Sequence, residues 1–181
     1  KPLPEGSVAV TGLAQDERFQ RHRAGAGHPE RPERLAAVAA ALKDRGLSDR
    51  CRQVPVSPID LQLVRRIHDE AYIERLERAC ADGSSFIDLL DSGICRESFE
   101  IARLAAGAVV SAVDEVIAGR LDNAFCAVRP PGHHAERTGS MGFCLFNNMA
   151  IAAQHLIDHH GLSRVLILDW DVHHGNATQH S

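Results

Sequence analysis

At 181 residues, 44% hydrophobic and 24% charged, the chain can bury one domain-sized core and is too apolar to be disordered. A net charge of −4 argues against direct nucleic-acid binding through phosphate contacts. No apolar run approaches the ~18 residues of a membrane span, the opening Lys1–Gly6 is not a signal peptide, and five scattered cysteines without a Cys-x-x-Cys read as reduced thiols, so a cytoplasmic protein is expected.

In chain order, Ser7–Thr11 is a short β-prone run and is expected to form the first strand, with residues 12–30 irregular. A helix starts near Arg31 or Pro32, because proline suits a first turn and Glu33 suits its positive end. Leu35, Val38, Ala39 and Leu42 form its apolar face, and Gly46 stops it. Taken alone, His28-Pro29-Glu30 is a loop leading into that helix. Ser57-Pro58-Ile59-Asp60 reads as a capped helix start with proline in the first turn, and a second amphipathic piece carries Ile73, Leu76 and Cys80. Between them, His68 is better explained as a hydrogen-bonded structural histidine than as a ligand. Residues 82–94, rich in Gly, Ser and Asp, read as a loop that can form the rim of a site.

Glu97–Ile117 is the longest helical pattern, with Ile101, Leu104, Ala105, Ala108, Val109, Val113 and Val116 at helical spacing. Its small residues Ala105–Ala108 permit close packing against a sheet. Ala124–Val128 is the next strand, residues 129–146 a long loop, and Met149–His159 a helix capped by Asn147 or Asn148. A last buried strand, Val165–Leu168, follows. Strands alternating with helices predict a parallel α/β sheet with right-handed crossovers.

Chemistry gathers behind the last two strands. After Val165–Leu168 come Asp169, Asp171 and His173, which share one side if the chain stays extended. A carboxylate and an imidazole side by side suit a divalent metal such as zinc, and Asp169 is placed to support them. Asp-x-His alone recurs by chance. A second cluster, His133 and His134, follows the other strand, and open α/β sheets place ligand sites at such strand ends.

Arg129–Ala135 (RPPGHHA), Gly142–Asn148 (GFCLFNN) and Leu168–Asn176 (LDWDVHHGN) resemble the zinc-dependent histone deacetylase family, with its acetylpolyamine amidohydrolase and acetoin-utilisation relatives, and look closest to the class II type. His28–Leu35 and His68–Ile73 are similar to further family positions. The resemblance implies a three-layer α/β/α fold with a mainly parallel sheet, arginase/deacetylase-like and incomplete. It makes Asp171 and His173 two zinc ligands and His133 and His134 the tandem active-site histidines. Asp169 would support His133 and contribute to a potassium site, and Asn176 would orient His134. Gly142 and Phe143 would line an acyl-lysine tunnel, and Asp91 in the variable loop would grip the substrate backbone. Zinc is the implied metal, although Asp and His also accept iron(II).

The same resemblance implies a third ligand, another aspartate, on a later strand and a catalytic tyrosine. Neither can be placed here, since the only tyrosine, Tyr72, matches a helical motif of the first half. Residues 1–181 are therefore read as the N-terminal part of a single deacetylase-like catalytic domain. The expected activity of the parent protein is hydrolysis of an acetyl-lysine, acetylpolyamine or similar small acyl-amide, with this chain alone inactive. The alternative is a non-catalytic half-domain acting as a binding or regulatory module. Such a module would pair with a full-length partner through its open sheet edge; homo-oligomerisation stays open.

Overall fold

The computed structural model describes residues 9–181. The sheet has three parallel strands, β1 (Thr11–Ala14), β2 (Arg52–Gln53) and β5 (Asn123–Cys126), in the order β2-β1-β5. The sheet is joined by α1 (Glu33–Asp44), α2 (Leu61–Val64), α3 (Glu70–Asp82), α4 (Ser98–Ile117), α5 (Asn148–Asp158) and a short terminal α6 (Asn176–His180). A separate two-stranded antiparallel hairpin, β3 (Phe86–Ile87) and β4 (Leu89–Gly93), follows α3.

α4 organises the packing. Phe99, Ala102, Ala106, Val109 and Val110 pack with α3 and α5, while Ile101, Leu104, Ala105, Ala108 and Ala112 join the sheet-side core around Ala14, Phe19 and Val54. A helix apolar on both faces is what such a central position requires. Gly107 lies directly against the Ser57 carbonyl, so the small-residue stretch admits the 57–59 segment as well as neighbouring layers. The backbone N–H of Ile59 donates to the Arg103 carbonyl there, at 3.1 Å.

Several expectations need correcting. The first strand is Thr11–Ala14 rather than Ser7–Thr11, and Ser7 and Val8 lie outside the described residues. A 3-10 helix at Glu17–Arg21 occupies part of the supposedly irregular stretch, its Asp16 cap accepting from Arg18 N–H. Asp60, not Ser57, caps α2, accepting from the Gln62 N–H at 2.9 Å. The 82–94 loop contains the β3–β4 hairpin, which puts Asp91 on a strand. The two choices at the start of α5 resolve to Asn147, whose side chain accepts from the Ala150 N–H.

The largest departure is Val165–Leu168. The segment forms no strand, and no ladder joins it to the sheet. A cleft of about 670 Å³, lined by Val113, Cys126, Val128 and Ile167 among others, separates it from the outer strand β5. Val165 and Ile167 turn inward and are half-buried, while Leu166 is 90% exposed and Trp170 88% exposed. The strand-like alternation of burial is present; the pairing is not, and the cleft stands where a neighbouring strand would lie.

Candidate active site

The stretch after β5 is held from below by a buried ion pair. Arg129 donates from Nε and Nη2 to the two Glu30 oxygens, each at 2.7 Å, and from Nη1 to the Phe19 carbonyl. Both side chains are almost fully buried. Burial by itself opposes ionisation of Glu30, but His22 and Arg129 outweigh it and hold the carboxyl at about 2. His22 stands 3.4 Å from Glu30 and makes its hydrogen bond instead through Nδ1 to Ser98. This network anchors Arg129 at the start of the turn that carries His133 and His134. Gly132 is needed in that turn, because a side chain would run into the Phe146 carbonyl and the Asn148 N–H at 2.7 Å.

His133 and His134 lie with ring centroids 4.0 Å apart but have different partners. His133 Nδ1 bonds Asp169 Oδ2 at 2.9 Å. His134 Nδ1 bonds Asn176 Oδ1 at 2.5 Å. The Asn176 amide nitrogen donates to Glu136 Oε1, which fixes its oxygen toward His134 and makes Nδ1 of His134 the protonated nitrogen. Nε2 of neutral His134 is then free to accept a proton. Glu136 also takes a bond from His180 Nδ1 at 2.9 Å.

The segment of residues 169–173 approaches from across the cleft. Asp169 Oδ1 accepts from the Asp171 N–H at 3.1 Å, and Asp171 Oδ1 accepts from the His173 N–H at 2.8 Å and lies 3.0 Å from His173 Nδ1. The His133 bond, with help from the Asp171 N–H, holds the Asp169 carboxyl below its ordinary range, and the two bonds from His173 do the same for Asp171. Gly175 permits the close pass: a side chain there would collide with Asp169 and come within 3.3 Å of His133 Nδ1. Ala177 N–H donates to the His133 carbonyl, tying α6 to the histidine turn. His134 and His173 rings lie 6.1 Å apart. Asp171 and His173 thus bring together a carboxylate oxygen and an imidazole nitrogen, the donor types and spacing of two neighbouring zinc ligands. Among the described residues no third His, Cys, Asp or Glu closes a three-donor group with them.

On the rim, Gly142 (φ +56°) and Phe143 (φ +70°) are both left-handed. Asp91 Oδ2 accepts from the Gly142 N–H at 3.2 Å. Any side chain on Gly142 would strike the His134 ring. Phe143 meets the His28 ring edge-on at 4.6 Å, and His28 Nε2 donates to the Asp91 carbonyl at 3.1 Å. His28 is therefore part of the rim as well as of the loop before α1. Tyr72 is buried, its hydroxyl donating to the Leu145 carbonyl at 2.7 Å, and takes no part in the site. His68 is structural, as expected: Nδ1–H donates to the Glu136 carbonyl and Nε2 accepts from the Asn147 N–H, both at 2.9 Å. Burial pushes its pKa down to about 4.

Sequence reading gathered His133, His134, Asp169, Asp171, His173, Asn176, Gly142, Phe143 and Asp91, and the structure brings these side by side. It missed Glu136, Glu30 and the anchoring role of Arg129. An acidic residue two positions after the paired histidines was a signal for Glu136; Glu30 gave none beyond its place near His28.

The paired histidines after β5 and the aspartate-rich 169–173 segment thus form one cluster on an α/β layer scaffold. Residues 28–181 match the histone deacetylase domain model, and the chain belongs to that family. It is 42% identical over 156 residues to the histone deacetylase-like amidohydrolase of Pseudomonas aeruginosa, covering 86% of this chain and 41% of that protein. It is 40% identical over 156 residues to the human polyamine deacetylase HDAC10, covering 83% of this chain and 23% of that one. The crystal structure of the HDA15 HD domain superposes with a TM-score of 0.88 at 38% identity, over 95% of this chain and 50% of that chain. The fold is thus the arginase/deacetylase-like α/β type, and the chain spans about half the length, or less, of these relatives.

Proposed function

We propose that the whole protein hydrolyses a small acyl-amide, an acetylated lysine or an acetylated polyamine, at the site formed by His133, His134, Asp169, Asp171, His173 and Asn176. The observation that carries this reading is the unequal pairing of the two histidines. His133 Nδ1 faces a carboxylate; His134 Nδ1 faces an amide oxygen, which leaves its Nε2 as the proton acceptor. Two adjacent imidazoles with different partners can divide the work of moving a proton from water to a leaving amine.

In this reading Asp171 and His173 would hold a divalent metal, zinc or iron(II), with the remaining ligand and an oxyanion-binding tyrosine supplied by the part of the protein this chain does not span. When bound, the metal supplies Lewis-acid polarisation of the carbonyl and acidifies water. His134 Nε2 takes the proton and returns it to the departing nitrogen. His133, paired with Asp169, acts as its electrostatic partner, and Asp169 contributes to a potassium site. Phe143 and Gly142 flank the acyl stem, and Asp91 contacts the substrate backbone from β4. The relatives' names, polyamine deacetylase and histone deacetylase-like amidohydrolase, support both substrate classes. Five unpaired thiols are consistent with action in the cytoplasm. Full-length protein assayed on acetyl-lysine peptides and acetylated polyamines tests this: His134→Ala should lose at least about 100-fold in kcat, and an unchanged rate would sink the assignment.

A second reading rests on the uncovered apolar segment. Leu166, Leu168, Trp170 and Val172 are all largely exposed. Such a surface fits a half-domain that docks on a partner chain or on a second copy of itself. A stable 1:1 complex or homodimer of the 181-residue chain, without hydrolytic activity, would favour it.

A further inference from the structure

The geometry points to a second metal site, at the far end of α5, formed by Asp114, His155 and His160 and suited to a zinc-class divalent cation. These residues form a group whose three donor atoms lie within 4.8 Å of one another, with no contribution from the site described above. His155 Nε2 lies 2.8 Å and His160 Nε2 2.6 Å from the same oxygen of Asp114, Oδ1. Two imidazoles and one carboxylate are the donor set that zinc, cobalt(II) and nickel(II) take in proteins. Ligand atoms around such an ion sit roughly 3.3 Å apart, given metal–donor bonds of about 2.0–2.1 Å in a tetrahedron. At 2.8 and 2.6 Å, the two nitrogen–oxygen pairs need to open by only about 0.5–0.7 Å to reach that spacing.

The rings are held in place. His155 is buried on α5 and stacks on His159 at 5.0 Å and 13°. His160 meets His155 and His159 edge-on, at 5.2 and 4.9 Å. His155 Nδ1 is buried without a hydrogen-bond partner, so the only polar engagement of this buried ring is the nitrogen aimed at Asp114. Both Nε2 atoms converge on one carboxylate oxygen, and a cation can take the place of the protons that bridge them. Asp114 and His160 are partly exposed, at 38% and 20% of their side chains, which leaves a path in and room for a solvent ligand. His155 lies about 10 Å along the helix axis from the start of α5 at Asn148, so the two centres are separate.

The test uses full-length protein carrying Asp171→Ala and His173→Ala, which removes the other candidate ligands. Cobalt(II) is added to metal-free protein, and bound metal is read by equilibrium dialysis and visible d–d absorption. One cobalt per chain is expected, with at least ten-fold weaker binding after His160→Gln or Asp114→Asn. Both substitutions fall on partly exposed side chains and spare buried His155. Absence of a retained cobalt, or retention that neither substitution weakens, overturns the proposal. The readout is independent of hydrolytic activity, so failure of the hydrolase reading leaves it standing.

Discussion

Arg129 and Glu30, 99 residues apart in the chain, meet in a two-pronged ion pair with both side chains about 1% exposed. One partner leads into the histidine turn and the other closes the loop that carries His28. The pair therefore ties the two walls of the site together from beneath.

Removing one partner strands a buried charge. Arg129→Met should cost about 3–5 kcal/mol in urea unfolding, and Arg129→Met with Glu30→Met should recover much of it. A single-variant loss below about 1 kcal/mol would mean the pair is not sealed as described. Because the folded-state Glu30 carboxyl lies at about 2, below its ordinary value, its contribution is present above pH ~4.5 and fades as pH falls from there through 2. Glu30→Gln should flatten stability over that window.

His68 gives the opposite group and the same slope. Its folded pKa is about 4 against an ordinary 6.5. The unfolded chain takes up this proton first, so stability is full above pH 6.5 and declines as pH falls through 6.5 toward 4. His68→Asn should weaken this part of the pH dependence and also loosen Asn147, whose N–H would lose its acceptor. Chemical denaturation of both proteins at pH 7 and pH 5 checks it; identical slopes would contradict it.

The thiols should separate into two classes. Burial pushes Cys80 and Cys126 to about 11 and Cys144 to about 12. Mass-resolved alkylation of the native protein at pH 8 should modify Cys51 and Cys95 first. Early labelling of Cys144 would show that the core beside Leu145 and Phe146 opens.

Much of this was readable from local signals. The α4 pattern, the α5 cap and the chain of Asp169, Asp171 and His173 were legible because period and spacing carry them. The unpaired state of Val165–Leu168 was not, since an apolar β-branched run does not say whether a neighbour is within reach. Nor was the β3–β4 hairpin: Gly83, Ser84 and Ser85 signalled a turn and masked the short strands behind it. Glu30 and Arg129 escaped for a third reason, because nothing local marks a buried pair closed across 99 residues.

Gly142 should tolerate no side chain. At φ +56° even alanine is strained, and its methyl would strike the His134 ring. In the full-length protein Gly142→Ala should lower kcat/KM at least ten-fold with a small change in melting temperature. Equal activity would mean His134 is not the working base.

The most direct test of the central claim is hydrolysis of an acetyl-lysine peptide and an acetylated polyamine by full-length protein, stripped of metal and then reconstituted with zinc, alongside His134→Ala and Asp171→Ala. The expected result is activity lost on stripping, restored by zinc in the wild type and restored in neither variant. Hydrolysis that persists without metal, or that both variants retain, would contradict the assignment of this site.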